Sequence, residues 1–459
     1  MISTVCAAMM AVLAAPQPQV YQLNTQLPVW DVSARDVSGN GHDDIFAVAA
    51  DDEPGSNERG LAVFLARDNG GYYGEPHFVL PLEDKVGSLF WAEVDGSEPK
   101  ELVVAHAEGA TIYQFTEGRF EVLAEPEFMS LFPESARRPR FLNDLAVDLT
   151  GDGIDEWLIP MPTGYAVRNA EEEIAYVRCE VDTGAGGGGE DGLTIRHSYP
   201  AFKAFDAPYS DNKAFVFLDD EQADFAYGPD WATRHRFELP LADDDEWDAS
   251  AKLTDITGDG LPDLVITKLK GSLNVTVVTE VYLAEEPFVY PVEPTARYVF
   301  EGAFATPVVI DVDGDGRQDL VFLKVPYSIG SFVSYFLRGR VTVQADVYMY
   351  GDNGFSDRPA YTGSFPIEVP DGRRSVAYTM GDFSGNGHTD VAFGAGDDAL
   401  VIHKNTPGEF LSRRPWLTLD VPPHGNARAR DLSNNGIDDI IIYHPDSDLS
   451  KRIHVVLFE

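Results

Sequence analysis

Cysteine is nearly absent from this chain. Cys6 and Cys179 are the only two in 459 residues, so neither a disulfide framework nor a cysteine-based zinc site can brace the fold. Cys179 sits in the strand-like run Ala175-Tyr176-Val177-Arg178-Cys179-Glu180-Val181, where a lone cysteine reads as packing rather than as a nucleophile. Basic side chains are also scarce: 34 Lys plus Arg stand against 76 Asp plus Glu, a formal charge of -42. A field of that sign repels nucleic acid and anionic membrane surfaces at long range and favours cationic ligands. Beyond the first fifteen residues no stretch offers the roughly 20 apolar residues of a membrane span, so membrane insertion is not expected. Helical periodicity is sustained nowhere. The motifs H-E-x-x-H and G-x-S-x-G are missing and the ten His are scattered, which leaves no constellation for metalloprotease or serine-hydrolase chemistry. The glycine-rich segment around Gly184 and Gly186 to Gly189 lacks the Gly-Lys-Ser/Thr ending of a phosphate loop and reads as an insertion.

What is present begins with a 44% hydrophobic content, ample for a sizeable core. Met1 to Ala15 carries no charged side chain and resembles the apolar core of a secretory signal, although it lacks a basic n-region. Residues 1–15 are therefore expected to be a signal peptide, and 16–459 a single exported domain, secreted or periplasmic. An exported chain without disulfides needs another source of rigidity, and bound metal is one. The acidic run Asp243-Asp244-Asp245-Glu246 reads as a solvated loop.

One element recurs along the whole length. It starts as DVSGNGHDDI from Asp36 and returns as DLTGDGIDEW from Asp148, DITGDGLPDL from Asp255, DVDGDGRQDL from Asp311, DFSGNGHTDV from Asp382 and DLSNNGIDDI from Asp431. A weaker copy, EVDGSEPKEL from Glu93, has Glu98 at the sixth position, where the others have glycine. Start-to-start distances are 57, 55, 107, 56, 71 and 49 residues. The gap of 107 holds DAPYSDNKAF from Asp206, followed by the apolar run Ala214 to Leu218, which reads as a copy that has lost its ligands. Each unit contains about four short alternating or β-branched runs separated by Gly, Pro, Asn and Asp, the pattern of a propeller blade. The fold expected is all-β, a β-propeller of seven to eight four-stranded blades, with eight favoured by the spacing. After Asp431 only two apolar runs remain, so the last blade is one strand short. Val20-Tyr21-Gln22-Leu23 can supply that strand and close the ring, which removes exposed sheet edges.

The loops have the pattern of a hard-cation site. Calcium takes six to eight oxygens at about 2.3–2.6 Å, and loop positions 1, 3, 5 and 9, with the carbonyl of position 7, can deliver them. The residues are Asp36, Ser38, Asn40, His42 and Asp44; Asp148, Thr150, Asp152, Ile154 and Glu156; and Asp255, Thr257, Asp259, Leu261 and Asp263. The other three sets are Asp311, Asp313, Asp315, Arg317 and Asp319; Asp382, Ser384, Asn386, His388 and Asp390; and Asp431, Ser433, Asn435, Ile437 and Asp439. The Asp311 loop has four carboxylates, the Asp148 and Asp255 loops three, and the remaining loops two, so affinity should fall in that order. The Glu93 loop lacks the turn glycine, which argues against metal there, and the Asp206 segment has Ala214 in place of the closing carboxylate. An EF-hand needs a bidentate Glu at position 12 and flanking helices. Position 12 is Ala47, Ile159, Ile266, Phe322, Phe393 and Ile442, which excludes that motif.

With Phe393-Gly394-Ala395-Gly396 following the Asp382 loop, the repeat resembles the FG-GAP/VCBS repeat family, the integrin-α-like propellers. The resemblance implies several structural Ca2+ ions, one per loop between the first two strands of a blade, and commonly seven blades. An eight-bladed ring and a seven-bladed ring with a large insertion at 170–250 both fit the spacing. It also implies a protein- or glycan-binding, adhesion-type module, expected as a monomer with an unknown protein or carbohydrate ligand. The alternatives are a lyase-like enzyme acting on polysaccharide and a structural subunit of an exported assembly. Tyr327, Phe332, Tyr335, Phe336, Tyr348 and Tyr350 are candidates for a carbohydrate platform.

Overall fold

The computed structural model describes residues 18–459 except 52, 54–55, 134–135, 187–193, 208–210, 219–220, 241–246, 272–274, 288, 327–339, 369–375, 397, 409 and 413. The stretch read as an export signal, the acidic run at 243–246, and Tyr327, Phe332, Tyr335 and Phe336 lie outside the described residues. No described residue is helical, and no helix is long and apolar enough to cross a membrane.

Eight sheets follow one another along the chain, seven of them four-stranded and antiparallel and the second extended to five strands by Arg140–Phe141, which pairs in parallel with Ser88 and Leu89. Blade 1 consists of Val29–Arg35, Asp44–Ala50, Arg59–Phe64 and Phe78–Pro81, hydrogen-bonded in chain order. Blades 2 to 7 span residues 88–124, 146–178, 201–238, 247–301, 303–368 and 378–419. Blade 8 combines 426–457 with the N-terminal strand Gln19–Asn24, which pairs antiparallel with Arg452–Leu457 from Gln19 opposite Leu457 to Asn24 opposite Arg452. The ring is therefore closed by its two termini, as the missing strand predicted. Residues 201–238 form a full sheet, which decides between eight blades and seven with an insertion. The true insertions are small. Asp182–Gly186 and Thr194–Ser198 form a hairpin between blades 3 and 4, and Tyr350–Gly351 with Gly354–Phe355 forms another inside blade 6, within the longest repeat.

The strands differ in character according to their depth in a blade. The second strand is covered on both faces by neighbouring sheets, so it reads as a continuous apolar run; Asp44–Ala50 (DIFAVAA) is buried at every position. The fourth strand lies at the rim and alternates, as Phe78–Pro81 does with Phe78 and Leu80 half-buried and Val79 and Pro81 exposed. Cores form between blades rather than within them. Leu23, Val32, Ile45, Leu432, Ile441, Ile453 and Val455 join blade 8 to blade 1, and Phe46, Leu61, Trp91 and Leu102 join blade 1 to blade 2. Phe90 meets Trp157 edge-on across blades 2 and 3 at 5.6 Å, a geometry that adds to area burial. Phe393 and Gly394 lie in the second strand of blade 7, where a side chain on Gly394 would overlap the carbonyl oxygen of Pro423.

Candidate metal sites on one face of the ring

Every repeated loop links the first strand of its blade to the second, so all eight emerge on the same face. The loops at Asp148, Asp255 and Asp311 share one internal geometry. The position-1 carboxylate caps the turn with both oxygens. Asp255 accepts from the Gly258 and Gly260 N–H groups, each at 2.8 Å, and Asp311 from Gly314 at 2.7 Å and Gly316 at 2.8 Å. Positions 4 and 6 have positive φ throughout, including Asn434 at 55° in the Asp431 loop, a conformation that Asn tolerates better than other side chains. The position-9 carboxylate is buried and holds the loop to its sheet. Asp263 accepts from Ile256 N and Ala284 N, each at 2.7 Å, and Asp319 from Val312 N at 2.9 Å and Tyr350 N at 2.8 Å.

These bonds leave room for a cation. A carboxylate has about four lone-pair sites, and two backbone donors occupy only some of them. Oxygens of Asp311, Asp313 and Asp315 lie within 4.8 Å of one another, the separation expected of ligands around one ion. Position-3 hydroxyls point at the closing carboxylate, Thr150 Oγ1 to Glu156 Oε1 at 3.1 Å and Ser38 Oγ to Asp44 Oδ1 at 3.3 Å. Thr257 Oγ1 and Ser433 Oγ are buried with no hydrogen-bond partner among the described residues, and an orphaned buried oxygen calls for a donor or an ion. Burial pushes Asp44, Asp263, Asp390 and Asp439 up to about 6 and Asp319 up to about 7, although backbone N–H groups pull the other way. The residues thus fit calcium, a hard cation that would relieve the cost of these buried charges. Arg317 competes in part: its guanidinium bonds Asp315 Oδ2 at 2.5 and 2.8 Å and holds that carboxyl below its usual range.

The three asparagine loops are built differently. Asn40, Asn386 and Asn435 donate from Nδ2 to the carbonyls of Ala66, Asn405 and Phe458 at 2.8–2.9 Å. The N–H groups of those same three residues donate to Asp44, Asp390 and Asp439, each at 2.7 Å. Position 5 is therefore a latch onto the end of the third strand. An aspartate cannot donate such a bond, so Asp152 and Asp259 keep an oxygen for the loop centre, whereas both oxygens of Asp315 accept from Arg317. In the Asp206 segment the Lys213 ammonium sits on Asp206 Oδ1 at 2.5 Å, a cation already in place where the ligands were lost. In the Glu93 loop, Glu93, Asp95 and Glu101 come together despite the missing glycine.

Position 8 was not singled out in the sequence, yet it joins the loops to one another. Its N–H donates to position 1 or 2 of the preceding loop: Asp43 to Leu432 O, Asp155 to Glu93 O, Lys213 to Leu149 O, Gln318 to Ile256 O, Thr389 to Val312 O and Asp438 to Asp382 O, at 2.8–3.3 Å. Pro262 occupies this position in blade 5 and has no N–H to give. Side chains reinforce the stitch. Thr389 Oγ1 donates to Asp311 O at 2.6 Å, Asp438 Oδ2 accepts from Asp382 N at 2.9 Å, and Asp43 pairs with Arg430. A side chain on Gly314 would overlap the carbonyl oxygen of Gly387, so adjacent loops meet backbone to backbone. Position-7 side chains also reach across. His42 contacts Ser433 O at 3.1 Å, Ile437 packs on Gly385, Leu261 joins the core of blades 4 and 5, Ile154 stays half-buried, and His388 faces Asp313.

Cys179 is half-buried with its thiol pushed up to about 12 by burial, which makes it inert as a nucleophile. Tyr348 is core and Tyr350 half-buried, so neither contributes to an exposed aromatic platform.

The fold and loops define an eight-bladed β-propeller whose repeated acidic turns share one face, with six of the eight joints between them stitched by a backbone hydrogen bond among the described residues. No protein-family model matches the chain, and no curated protein matches it. Similar solved structures include BBS1N in its complex with ARL6DN, 9% identical, covering 95% of this chain and 94% of that one with a TM-score of 0.36. The WD40 domain of Toxoplasma gondii coronin is 11% identical, with 97% and 89% covered and a TM-score of 0.37. A chain of the S. cerevisiae core factor is 10% identical, with 96% and 62% covered and a TM-score of 0.35. The count of eight blades stands on the strand pairing alone.

Proposed function

We propose that the protein is an exported, calcium-binding propeller of the FG-GAP/VCBS type that serves as a protein- or glycan-binding, adhesion-type module. The observation that carries the calcium reading is the convergence of Asp311, Asp313 and Asp315 above the buried Asp319, in a turn whose backbone is already organised by hydrogen bonds. Ions in such loops would rigidify the joints between blades, because six of the eight loops are also bonded to the loop before them. The binding reading follows from position: half-buried to exposed acidic side chains of eight loops share one face, and a bound ion there can accept a partner's carboxylate or hydroxyl oxygen. The test is an array of glycans and extracellular proteins probed with the purified chain in calcium and again in chelator. A calcium-dependent ligand is expected. Ligands bound equally well in chelator, or none on either array, would count against the module.

A further inference from the structure

We propose that Glu93, Asp95 and Glu101 form a separate divalent-cation site in blade 2, made from carboxylates alone and independent of the turn glycine found in the six ligand-rich loops. One oxygen from each residue lies within 4.8 Å of the others, which suits a single ion with oxygens at about 2.3–2.6 Å. Glu93 is 8% exposed and Glu101 1%. Each has its Oε1 buried without a hydrogen-bond partner among the described residues. The other oxygen of Glu101 accepts from Val94 N at 3.0 Å, so the carboxylate is held in place with one oxygen unspent. Of the nearby basic groups, Lys100 Nζ is on Asp155 at 2.6 Å, and the Arg35 guanidinium, 5.7 Å from the centre of the Trp91 ring, has Asp43, Glu98 and Asp155 as its acidic neighbours rather than Glu93 or Glu101.

Two buried carboxylates side by side without a counter-charge are costly, and removing one partner's compensation costs more than either gains alone. A cation resolves that conflict. The other loops use an aspartate at position 1 with both oxygens committed to turn amides. Glu93 also accepts from the Gly96 and Ser97 N–H groups of its turn, and its extra methylene gives the remaining oxygen reach toward the centre where position 6 lacks glycine. Asp95 is exposed and marks the side from which an ion enters. Oxygen-only ligation with three full charges selects a hard ion such as calcium over softer transition metals.

The test counts calcium bound to the full chain after equilibrium dialysis, for wild type, E101Q, D95N, and the triple variant D148N/D255N/D311N. E101Q and D95N should each hold one ion fewer than wild type, and the triple variant should keep this ion. Adding E101Q to the triple variant should remove it, so the site is read even if the other loops bind nothing. In chelator E101Q should melt no lower than wild type, because a buried charge has gone, and its melting point should rise less than wild type's when calcium is restored. Unchanged ion counts in both E101Q and D95N, or no calcium on the wild-type chain, would overturn the proposal.

Discussion

Closure of the ring by the N-terminal strand makes a prediction whose size follows from one side chain. Leu23 is fully buried where Gln19–Asn24 pairs with the last strand, opposite Ile453, and it belongs to the core that joins blades 8 and 1. The ladder bonds of this strand roughly offset the entropy of ordering its backbone, at about 0.5–1.5 kcal/mol gained per bond against about 1–2 kcal/mol lost per residue. The net stabilisation therefore comes from its packed side chains, Leu23 foremost, with Tyr21 edge-on to Tyr72 at 5.9 Å. Leu23→Ala removes its transfer energy and leaves a cavity between two sheets, for a loss of about 3 kcal/mol. Val20 lies on the same strand but is 44% exposed, and Val20→Ala should cost no more than about 0.5 kcal/mol. Both variants are read by urea denaturation and by thermal melting. Removing residues 18–24 altogether should lower the melting point further and promote aggregation through the bared edge of Arg452–Leu457. Equal stability of Leu23→Ala and wild type, or equal losses for the two point variants, would refute closure as the source of stability.

Other expectations follow from the same geometry. His444 and His454 are buried and bonded to each other at 2.9 Å, and burial lowers both, His454 to about 4. A folded-state value below the unfolded one gives stability that is complete above about 6.5 and lost as pH falls toward 4. A loss on the order of 2 kcal/mol at pH 5 is expected from this pair, and His454→Gln should flatten that slope in melts across pH 4.5–7.5. Thr389→Val deletes the stitch to the Asp311 carbonyl and should cost about 1 kcal/mol in urea melts. Asp313→Asn should weaken calcium at the Asp311 loop more than Ser384→Ala weakens it at the Asp382 loop, by competition titration with a chromophoric chelator, because it removes a full charge. Cys179 should resist thiol reagents in the folded protein and react once it is denatured.

The fold was legible in the sequence because a propeller repeats one unit. Second strands such as Asp263–Lys270 and Asp439–Tyr443 are recognisable because burial on both faces demands a continuous apolar start. The short final repeat exposed the role of Gln19–Asn24 for a similar reason. The eighth blade was harder to read, since residues 201–238 keep the strands while losing the loop chemistry, and only the spacing pointed to them. Within the loops, positions 1 and 9 were visible as carboxylates, but their hydrogen bonds to turn amides and to the end of the third strand depend on three-dimensional register. Asn40, Asn386 and Asn435 each offer an oxygen that the sequence makes visible, whereas their latch onto the end of the third strand is not visible there. The carbonyls that receive their Nδ2 groups lie 19 to 26 residues away in sequence. Position 8 varies among Asp, Lys, Pro, Gln and Thr, and its main contribution is a backbone N–H, which leaves no mark on side-chain identity except where proline removes it. The Glu93 loop is harder to read because Glu98 breaks the pattern at position 6, while the approach of Glu93, Asp95 and Glu101 to one another appears only in the folded loop.

Calorimetric titration of calcium into chelator-stripped protein, paired with a thermal melt of the same samples, tests the central claim most directly. Binding to the folded state alone stabilises by about 2.7 kcal/mol per site at a free ion concentration of 100 times the dissociation constant. Several ions should therefore be taken up, with a clear rise in melting point as calcium is restored. Absence of uptake, together with a melting point indifferent to calcium, would contradict the account.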